Sequence, residues 1–352
     1  MTDGAVSPLR GGARAGASLR RFGTLGLLLA VLLAAMLYAI AAGRFPVTAP
    51  RILDILWHAA QGAPATQMDE RIVLLVRLPR VLLAALSGAA LAVGDAALQG
   101  VFRNPLVSPQ VLGISQGAAF GGALAILLGF GGFTLLGLSF GFGLLALVLV
   151  GLLARIDGQT QILTVILSGM VIGALFAALV SVLQFFADPN TSLPAIVYWL
   201  MGSFSTATWA RLALAVPGMA AGLLLVMALR YRLNLLALPE AEALSLGLRP
   251  ERERWLIFAA IALMTGTSVA VAGVIGWIGL VVPHAARMLV GEDHRILIPA
   301  SALLGAAYLT FIDTLARSLT AAEIPLGVLT ALIGAPVFGW LLRQHFRRSE
   351  AA

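Results

Sequence analysis

Long apolar runs with few charged residues extend over most of this chain. Hydrophobic residues make up 60% of the 352 residues, and charged residues make up only 11%. A water-soluble fold of this composition would have too little polar surface to cover itself. The chain is therefore predicted to lie in a lipid bilayer.

The runs and the residues that break helices predict an all-α, polytopic membrane protein with about ten transmembrane helices. A single transmembrane domain is predicted at residues 22–346, between cytoplasmic tails at 1–21 and 347–352. The eighth helix is shorter than a bilayer requires, so hydropathy alone also allows nine. The predicted helices are 22–42, 72–101, 109–130, 133–154, 159–187, 207–231, 253–275, 278–291, 296–320 and 325–345.

Four arginines precede the first run, as they would in a signal peptide. The run has roughly 20 apolar residues and exceeds the ~7–15 of a cleaved segment, so it is predicted to be a retained helix. With the N-terminus in the cytoplasm, most of the 23 basic residues fall in cytoplasmic segments, which satisfies the positive-inside rule. Membrane orientation thus explains the basic charge, and no nucleic acid partner is predicted.

The residue types that the sequence lacks exclude most catalytic chemistry. All 23 basic residues are arginine, which excludes a Walker A phosphate loop and a Schiff-base lysine. The absence of cysteine excludes thiolate metal sites and iron–sulfur clusters. The four histidines lack the i, i+4 spacing of a helical metal site. The chain is predicted not to be an enzyme and to have no catalytic residue, metal site or cofactor of its own.

The cytoplasmic segment at about 235–252 is typical of a short amphipathic helix. Pro239 and two acidic residues, Glu240 and Glu242, mark its start, and Gly247 marks its end. Such a helix fits a groove in a partner protein, and it equally fits a position on the lipid headgroups. The residues alone leave both interpretations open.

Arg77, Arg80 and Arg317 lie at the periplasmic ends of predicted helices, against the general charge bias. The planar guanidinium group binds carboxylates through two hydrogen bonds, so these arginines suit an acidic partner protein. They also suit a role as anchors that position the helix ends. Both interpretations stand at this point.

Four polar side chains, Asp95, Gln99, Gln184 and Asp313, fall inside predicted helices. A carboxylate in hydrocarbon is costly, so each is expected to face the protein interior or a wet cavity. Asp95, Gln99 and Gln184 are candidates for a transport pathway. Ser168 is a further candidate, in a run of small residues that more often serves helix packing. Asp313 has an arginine one helical turn later with which it can pair.

Six motifs follow one another along the chain. They are Arg77-Leu78-Pro79-Arg80, Arg103-Asn104-Pro105-Leu106-Val107-Ser108-Pro109, Val111-Leu112-Gly113-Ile114-Ser115, Gly276–His284, Asp293-His294-Arg295 and Glu323–Pro336. In order and spacing they resemble the FecCD family of ABC importer permeases, which includes the permeases for ferric siderophores, haem and cobalamin. The resemblance extends from about residue 71 to residue 342.

The resemblance implies a type II ABC importer permease fold in a homodimer, in the bacterial inner membrane with both termini cytoplasmic. It also implies two cytoplasmic P-loop ATPase subunits, which bind ATP and Mg²⁺, and a periplasmic substrate-binding protein. Substrate would then move by alternating access. Family positions that dock the binding protein match Arg77, Arg80 and Arg317. Family positions that couple to the ATPase match Leu238, Pro239, Glu240, Glu242, Leu244, Leu246 and Gly247.

The resemblance favours an iron chelate as substrate, with a ferric siderophore first, haem second and cobalamin third. The segment at 187–203 is similar to a branch that is often associated with ferric chelates and occasionally with oxyanions such as molybdate. Asp95 departs from the family, which commonly has glycine there, and we expect it to face the cytoplasmic half of the pathway. A proton-coupled secondary transporter that uses Asp95 and Asp313 is the alternative from another class.

Overall fold

Fourteen α-helices make up most of the part of the chain that the structure describes. The computed structural model describes residues 10–43, 45–156, 159–320 and 322–350. The helices are α1 (Arg10–Ala41), α2 (Ala49–Ala60), α3 (Met68–Arg71), α4 (Leu78–Phe102), α5 (Ile114–Leu127), α6 (Gly132–Ala154), α7 (Ile162–Phe186), α8 (Ser192–Leu200), α9 (Trp209–Leu236), α10 (Glu240–Ser245), α11 (Pro250–Ala272), α12 (Ile278–Val290), α13 (His294–Ser318) and α14 (Leu326–Glu350).

Three short elements connect these helices. A π-helical turn at Ile72–Arg77 joins α3 to α4, and a 3-10 turn at Pro109–Leu112 precedes α5. Between α6 and α7, β1 (Arg155–Ile156) and β2 (Gln159–Thr160) form a two-residue antiparallel pair, with Arg155 opposite Thr160.

The ten predicted membrane helices are all present, which confirms the all-α, polytopic fold class. Within the described residues, seven helices are long and apolar enough to cross a bilayer, and three shorter apolar helices complete the set. The short ones are Ile114–Leu127, Ile278–Val290 and Leu326–Trp340. The break between α11 and α12 lies at 273–277, so α11 ends three residues before its predicted end at 275, whereas α12 starts at the predicted residue 278.

The first and last helices extend into the segments predicted to be tails. Residues 10–21 belong to α1, and residues 347–350 belong to α14. Residues 1–9 and 351–352 of those tails lie outside the described residues.

α5 begins at Ile114, later than the predicted start at residue 109. Gly113 interrupts the helix because its φ is 68°, in the left-handed region. A Cβ at Gly113 would lie 3.2 Å from the amide nitrogen of Gly173. The absence of a side chain therefore lets the start of α5 approach the backbone of α7, a tertiary contact that hydropathy does not reveal.

Two segments that hydropathy assigned to loops, 43–71 and 188–206, contain the short helices α2, α3 and α8. Arg51 ties α2 to α3. It donates from Nη1 to Asp54 at 2.6 Å and from Nε to Asp69 at 2.8 Å. These hydrogen bonds raise the pKa of Arg51 above its usual value, so the guanidinium stays charged. Residues 51–69 are therefore tied into one folded unit.

α4 lies in the interior of the fold and packs directly on α13. In the apolar stretch that contains α4, 83% of the residues are buried, against 33% in α7 and in α9. Gly88 and Gly305 form the crossing, where a Cβ on Gly88 would lie 2.2 Å from the carbonyl oxygen of Gly305. Without hydrophobic driving force between helix and lipid, such small residues let backbones pack closely.

The helix termini gather at two opposite ends of the molecule. At one, the Arg77 end, the C-termini of α1 and α13 meet the N-terminus of α4. At the other, the Glu240 end, the C-termini of α4 and α9 meet the N-termini of α11 and α13. There Arg103 Nη2 donates to the Leu236 carbonyl at 3.1 Å, and Asn234 Nδ2 donates to Asp293 at 2.8 Å.

Candidate functional site

Arg77 is buried and hydrogen-bonded to the end of α1. Only 6% of the residue is exposed. Its Nη1 donates to the carbonyl oxygen of Ile40 at 2.6 Å, and its Nη2 donates to that of Phe45 at 2.5 Å. The last carbonyls of a helix have no donor within the helix, so an arginine from another element satisfies them well. Arg77 therefore closes the C-terminus of α1.

Arg80 and Arg317 flank the buried carboxylate of Asp313. Arg80 donates from Nη2 to Asp313 Oδ1 at 2.8 Å and from Nη1 to Glu323 Oε1 at 2.9 Å. Arg317 Nε lies 3.7 Å from Asp313 Oδ2, and Arg317 Nη1 donates to the carbonyl of Ala42 at 2.8 Å. The pairing of Asp313 within its own helix is therefore present, and Arg80 adds a closer partner from α4.

The three arginines are thus engaged by groups of their own chain. The side chains of Asp313 and Arg80 are 1% and 10% exposed, whereas that of Glu323 is 28% exposed. Glu323 is the member of this ion-pair network that a partner protein can reach most easily. Sequence reasoning missed it because it lies 243 positions from Arg80 in the chain. The docking of a binding protein at these arginines stays a prediction.

α10 stands at the Glu240 end and exposes two leucines. Pro239 precedes the helix, and Gly247, with a φ of 79°, ends the turn that follows it. Leu244 and Leu246 are 54% and 60% exposed, whereas Ala243 is buried. The surface that these leucines form beside the exposed side chains of Glu240 and Glu242 is typical of a helix that inserts into a protein groove.

Two arginines hold α10 and the connection before it to the membrane helices. Arg103, which follows α4, donates to the carbonyl oxygens of Leu236 and Leu238. Arg254 of α11 lies 3.5 Å from Glu240. A cavity of about 720 Å³ opens beside the helix. Its lining includes Gln161, Leu163, Glu240, Leu244, Arg249 and Arg254.

Asp95 lies inside the fold, against the first turn of α12. It is 4% exposed, and a Cβ on Gly279 would lie 2.0 Å from the Asp95 carboxylate carbon. Its Oδ1 atom has no hydrogen-bond partner. The side chain lines a cavity of about 230 Å³ between α4, α11 and the start of α12.

Gln99 lies one helical turn after Asp95 and contacts the same helix. Its Nε2 donates to the carbonyl oxygen of Gly279 at 2.8 Å, and its Oε1 accepts from Arg287 Nη2. The structure therefore brings Asp95 and Gln99 together at the start of α12. It does not bring the other two pathway candidates to this place.

Ser168 and Gln184 lie along α7, away from the cavity beside Asp95. Ser168 is buried next to Gly169, where a Cβ would lie 1.9 Å from the carbonyl oxygen of Val111. Ser168 thus belongs to a close helix contact of the kind that small residues make. Gln184 is half-buried near the C-terminus of α7.

The Glu240 end contains another cavity, of about 560 Å³, besides the one next to α10. Two arginines and two histidines contribute to it, together with the acidic Glu292. These residues are Arg103, Arg287, His284, His294 and Glu292. Their spacing in the sequence gave no signal of such a cavity, because α4, α12 and α13 bring them together only in the fold.

Asp293 is the N-cap residue of α13 and links this helix to α9 at the Glu240 end. Its carboxylate accepts hydrogen bonds from Arg295 Nη2 at 2.6 Å and from Asn234 Nδ2 at 2.8 Å. The bonds from Arg295, and then that from Asn234, hold the pKa of Asp293 well below its usual range. Within the described residues, no group of three or more histidine, cysteine, aspartate or glutamate side chains is placed to hold a metal ion.

A family model, two relatives and a solved structure each match most of this chain. Residues 29–344 match the model of the FecCD transport family. The molybdate import system permease protein MolB of Haemophilus influenzae is 45% identical, over 90% of this chain and 94% of the relative. An iron chelatin transport system permease protein of Helicobacter pylori is 41% identical, over 77% of this chain and 82% of the relative. A metal-chelate type ABC transporter, solved in an inward-facing conformation, has a chain that is 40% identical with a TM-score of 0.82, covering 91% of this chain and 98% of that one.

Proposed function

This chain belongs to the FecCD transport family, the permeases of type II ABC importers, and on that premise we propose that it carries an iron chelate into the cytoplasm. A ferric siderophore is the first candidate substrate. The chain supplies the membrane pathway, and separate ATPase subunits hydrolyse the ATP. The Arg77 end faces the periplasm and the Glu240 end faces the cytoplasm of a bacterial inner membrane.

The exposed surface of α10 is the observation that carries this proposal. Leu244 and Leu246 project from the Glu240 end, while Ala243 and the bonds from Arg103 fix the helix to the membrane domain. Apolar side chains on a rigid, anchored helix transmit movement of a partner groove to α4, α9 and α11. Closure of two ATPase subunits on ATP would thereby switch the side on which a dimer of this chain is open.

The Arg77 end suits the docking of an acidic binding protein. The three arginines Arg77, Arg80 and Arg317 carry more positive charge there than the two carboxylates Asp313 and Glu323 offset, and of these two Glu323 is the more exposed. A carboxylate of the binding protein that replaces Glu323 would keep Arg80 paired. Interface charges of this kind chiefly guide encounter and fix the orientation of the partner.

Molybdate is the second candidate substrate. The relative from Haemophilus influenzae, which is named for molybdate import, supports it at 45% identity over 90% of this chain. The iron chelatin permease supports the first candidate at 41% identity, and the metal-chelate transporter, at 40% identity, supports a metal chelate without specifying the metal. Haem and cobalamin remain lower choices. The proton-coupled carrier is not proposed, because the chain belongs to an ABC family and Asp313 is held in ion pairs.

Copurification tests the partner assignment. The chain with Leu244→Asp and Leu246→Asp is expected to lose a copurifying P-loop ATPase, since charged side chains do not enter an apolar groove. Leu319→Asp is the matched control, because Leu319 is 59% exposed and lies at the Arg77 end. Equal ATPase recovery from the α10 variant and the control would show that α10 is not the coupling helix.

Uptake into proteoliposomes tests the substrate. The complex with its binding protein is supplied with a ⁵⁵Fe-labelled ferric siderophore or with ⁹⁹Mo-labelled molybdate, each with and without ATP. ATP-dependent accumulation of iron is the expected result. Accumulation of molybdate alone would replace the first candidate by the second.

A further inference from the structure

The cavity beside Asp95 offers a binding site that the proposed transport function does not use. We propose that it binds one monovalent cation, with the Asp95 carboxylate as the charged ligand and neutral oxygens of Ser108, Ser115 and Thr265 beside it. The site lies inside the subunit, between α4, the start of α5, α11 and the start of α12. The proposal does not depend on which substrate the chain carries.

Two buried polar atoms of this cavity have no partner in the protein. Asp95 is 4% exposed and its Oδ1 accepts no hydrogen bond. Thr265 is 2% exposed and its Oγ1 makes none either. Buried polar groups are almost always hydrogen-bonded, so two unsatisfied oxygens on the wall of one cavity indicate a bound species that satisfies both.

The charge of the cavity matches a monovalent cation. Asp95 is its acidic member, and none of the described residues that line it is basic. The remaining polar side chains of the lining are the hydroxyl groups of Ser108, Ser115 and Thr265, the amide of Gln110 and the indole of Trp277. Oxygen donors suit alkali and alkaline-earth cations, and the divalent members of that group usually bind several carboxylates. One carboxylate among neutral oxygens therefore favours a single positive charge.

The backbone around the cavity has the form of a membrane cation site. α11 stops at Ala272 and α12 starts at Ile278, and between them Gly273 and Trp277 have φ values of 72° and 70°. Unwound segments of membrane helices supply the carbonyl oxygens that coordinate cations in many transporters. Asp95 itself lies against Gly279, in the first turn of α12 at the end of this unwound segment.

The cavity has the size and the opening that a hydrated ion needs. Its volume is about 230 Å³, whereas one water molecule occupies about 30 Å³ in the liquid. A cation and several water molecules therefore fit. Gln110, which lies at the wall of the cavity and is exposed, marks a route from the surface of the subunit.

Binding of ²²Na⁺ to the purified full-length complex tests the proposal, with potassium, lithium and choline chloride as competitors at constant ionic strength. Sodium or potassium is expected to bind and to raise the thermal midpoint above that in choline. Asp95→Asn, which keeps the shape and removes the charge, is expected to weaken binding by about tenfold or more. Thr265→Val is expected to weaken it as well. Ser301→Ala is the matched control, because Ser301 has an equally buried, unpartnered hydroxyl that does not line the cavity.

Two results would overturn the proposal. One is a wild-type complex that binds no ²²Na⁺ and has the same midpoint in sodium, potassium and choline. The other is a cation effect that persists unchanged in both Asp95→Asn and Thr265→Val. Should Asp95→Asn fold poorly, Thr265→Val alone decides, since it adds no charge and keeps the volume. A midpoint that responds to pH and not to cations is a case of the first result, and it would show that Asp95 binds a proton instead.

Discussion

Removal of Arg80 is expected to destabilise the Arg77 end by about 3 kcal/mol. The Arg80 guanidinium donates to both oxygens of Asp313 and also binds Glu323. Removing one partner of a buried ion pair costs about 3–5 kcal/mol, because the other charge stays buried without compensation. Asp313 is only 1% exposed, but Arg317 remains 3.7 Å away. Arg80→Met should therefore fall at the lower end of that range.

The double variant Arg80→Met with Asp313→Leu separates the contribution of the ion pair to stability from that of the other contacts at the Arg77 end. With both charges absent, no carboxylate is left unpaired in the interior. Arg317 loses Asp313 but keeps its hydrogen bonds to the carbonyl oxygens of Ala42 and Ala39, so part of the lost stability should return. Glu323 loses a partner in both variants, but its side chain is 28% exposed and water can solvate it. The single variant is therefore expected to be the less stable of the two.

Unfolding of the purified chain by sodium dodecyl sulfate, followed by tryptophan fluorescence, measures this difference. A single variant as stable as the wild type would refute the reasoning, and so would a double variant no more stable than the single one. The double variant also gives a clean test of docking. If it is stable and yet binds the periplasmic partner weakly, Arg80 contributes directly to docking as well as to folding.

Three further predictions concern packing, pH and α10. Gly88→Leu is expected to force α4 away from α13 and to lower the free energy of unfolding by about 1–3 kcal/mol through overpacking. The control Gly23→Leu, with no atom within 4 Å of the added Cβ, should leave the unfolding midpoint unchanged. Equal midpoints for the two variants would contradict the close contact at Gly88. The lowered pKa of Asp293 gives stability that is present at neutral pH and is lost as the pH falls below about 3.9 toward the folded-state pKa. Asp293→Asn should therefore lack that part of the acid destabilisation. A variant whose thermal midpoint falls with acid as much as that of the wild type would contradict this role of Asp293. Arg103→Met should speed hydrogen exchange at 238–247, and unchanged exchange would show that Arg103 does not hold α10.

The membrane helices were predictable because a run of about 20 apolar residues has one common explanation in any sequence. The boundary at α5 was not, because it depends on the left-handed Gly113 and its contact with Gly173. The helices α2 and α8 were also missed. They are 12 and 9 residues long, too short to give a membrane signal.

The arginines at the Arg77 end show how far charge patterns can be interpreted. Their position against the charge bias predicted an acidic partner protein, and that docking stays a prediction. Within the chain, the structure places two acidic side chains against Arg80. Asp313 and Glu323 are 233 and 243 positions away from Arg80 in the sequence. No local pattern connects them, since the pairing arises only when α4 packs on α13.

Asp95 shows a different limit. The cost of a carboxylate in a membrane helix predicted a polar environment, and the cavity of about 230 Å³ provides one. The sequence did not reveal that Thr265 and the break before α12 share this cavity, because four separate helices form its wall. The lack of histidine and cysteine patterns also gave no indication of a cation site built from hydroxyls and one carboxylate.

ATP-dependent uptake into proteoliposomes decides whether this chain acts as an importer permease. The complex of the chain with its ATPase and its binding protein should accumulate labelled ferric siderophore only when ATP is present, and the α10 variant with Leu244→Asp and Leu246→Asp should accumulate none. Uptake by the chain alone, without ATP and without a binding protein, would contradict the proposed mechanism.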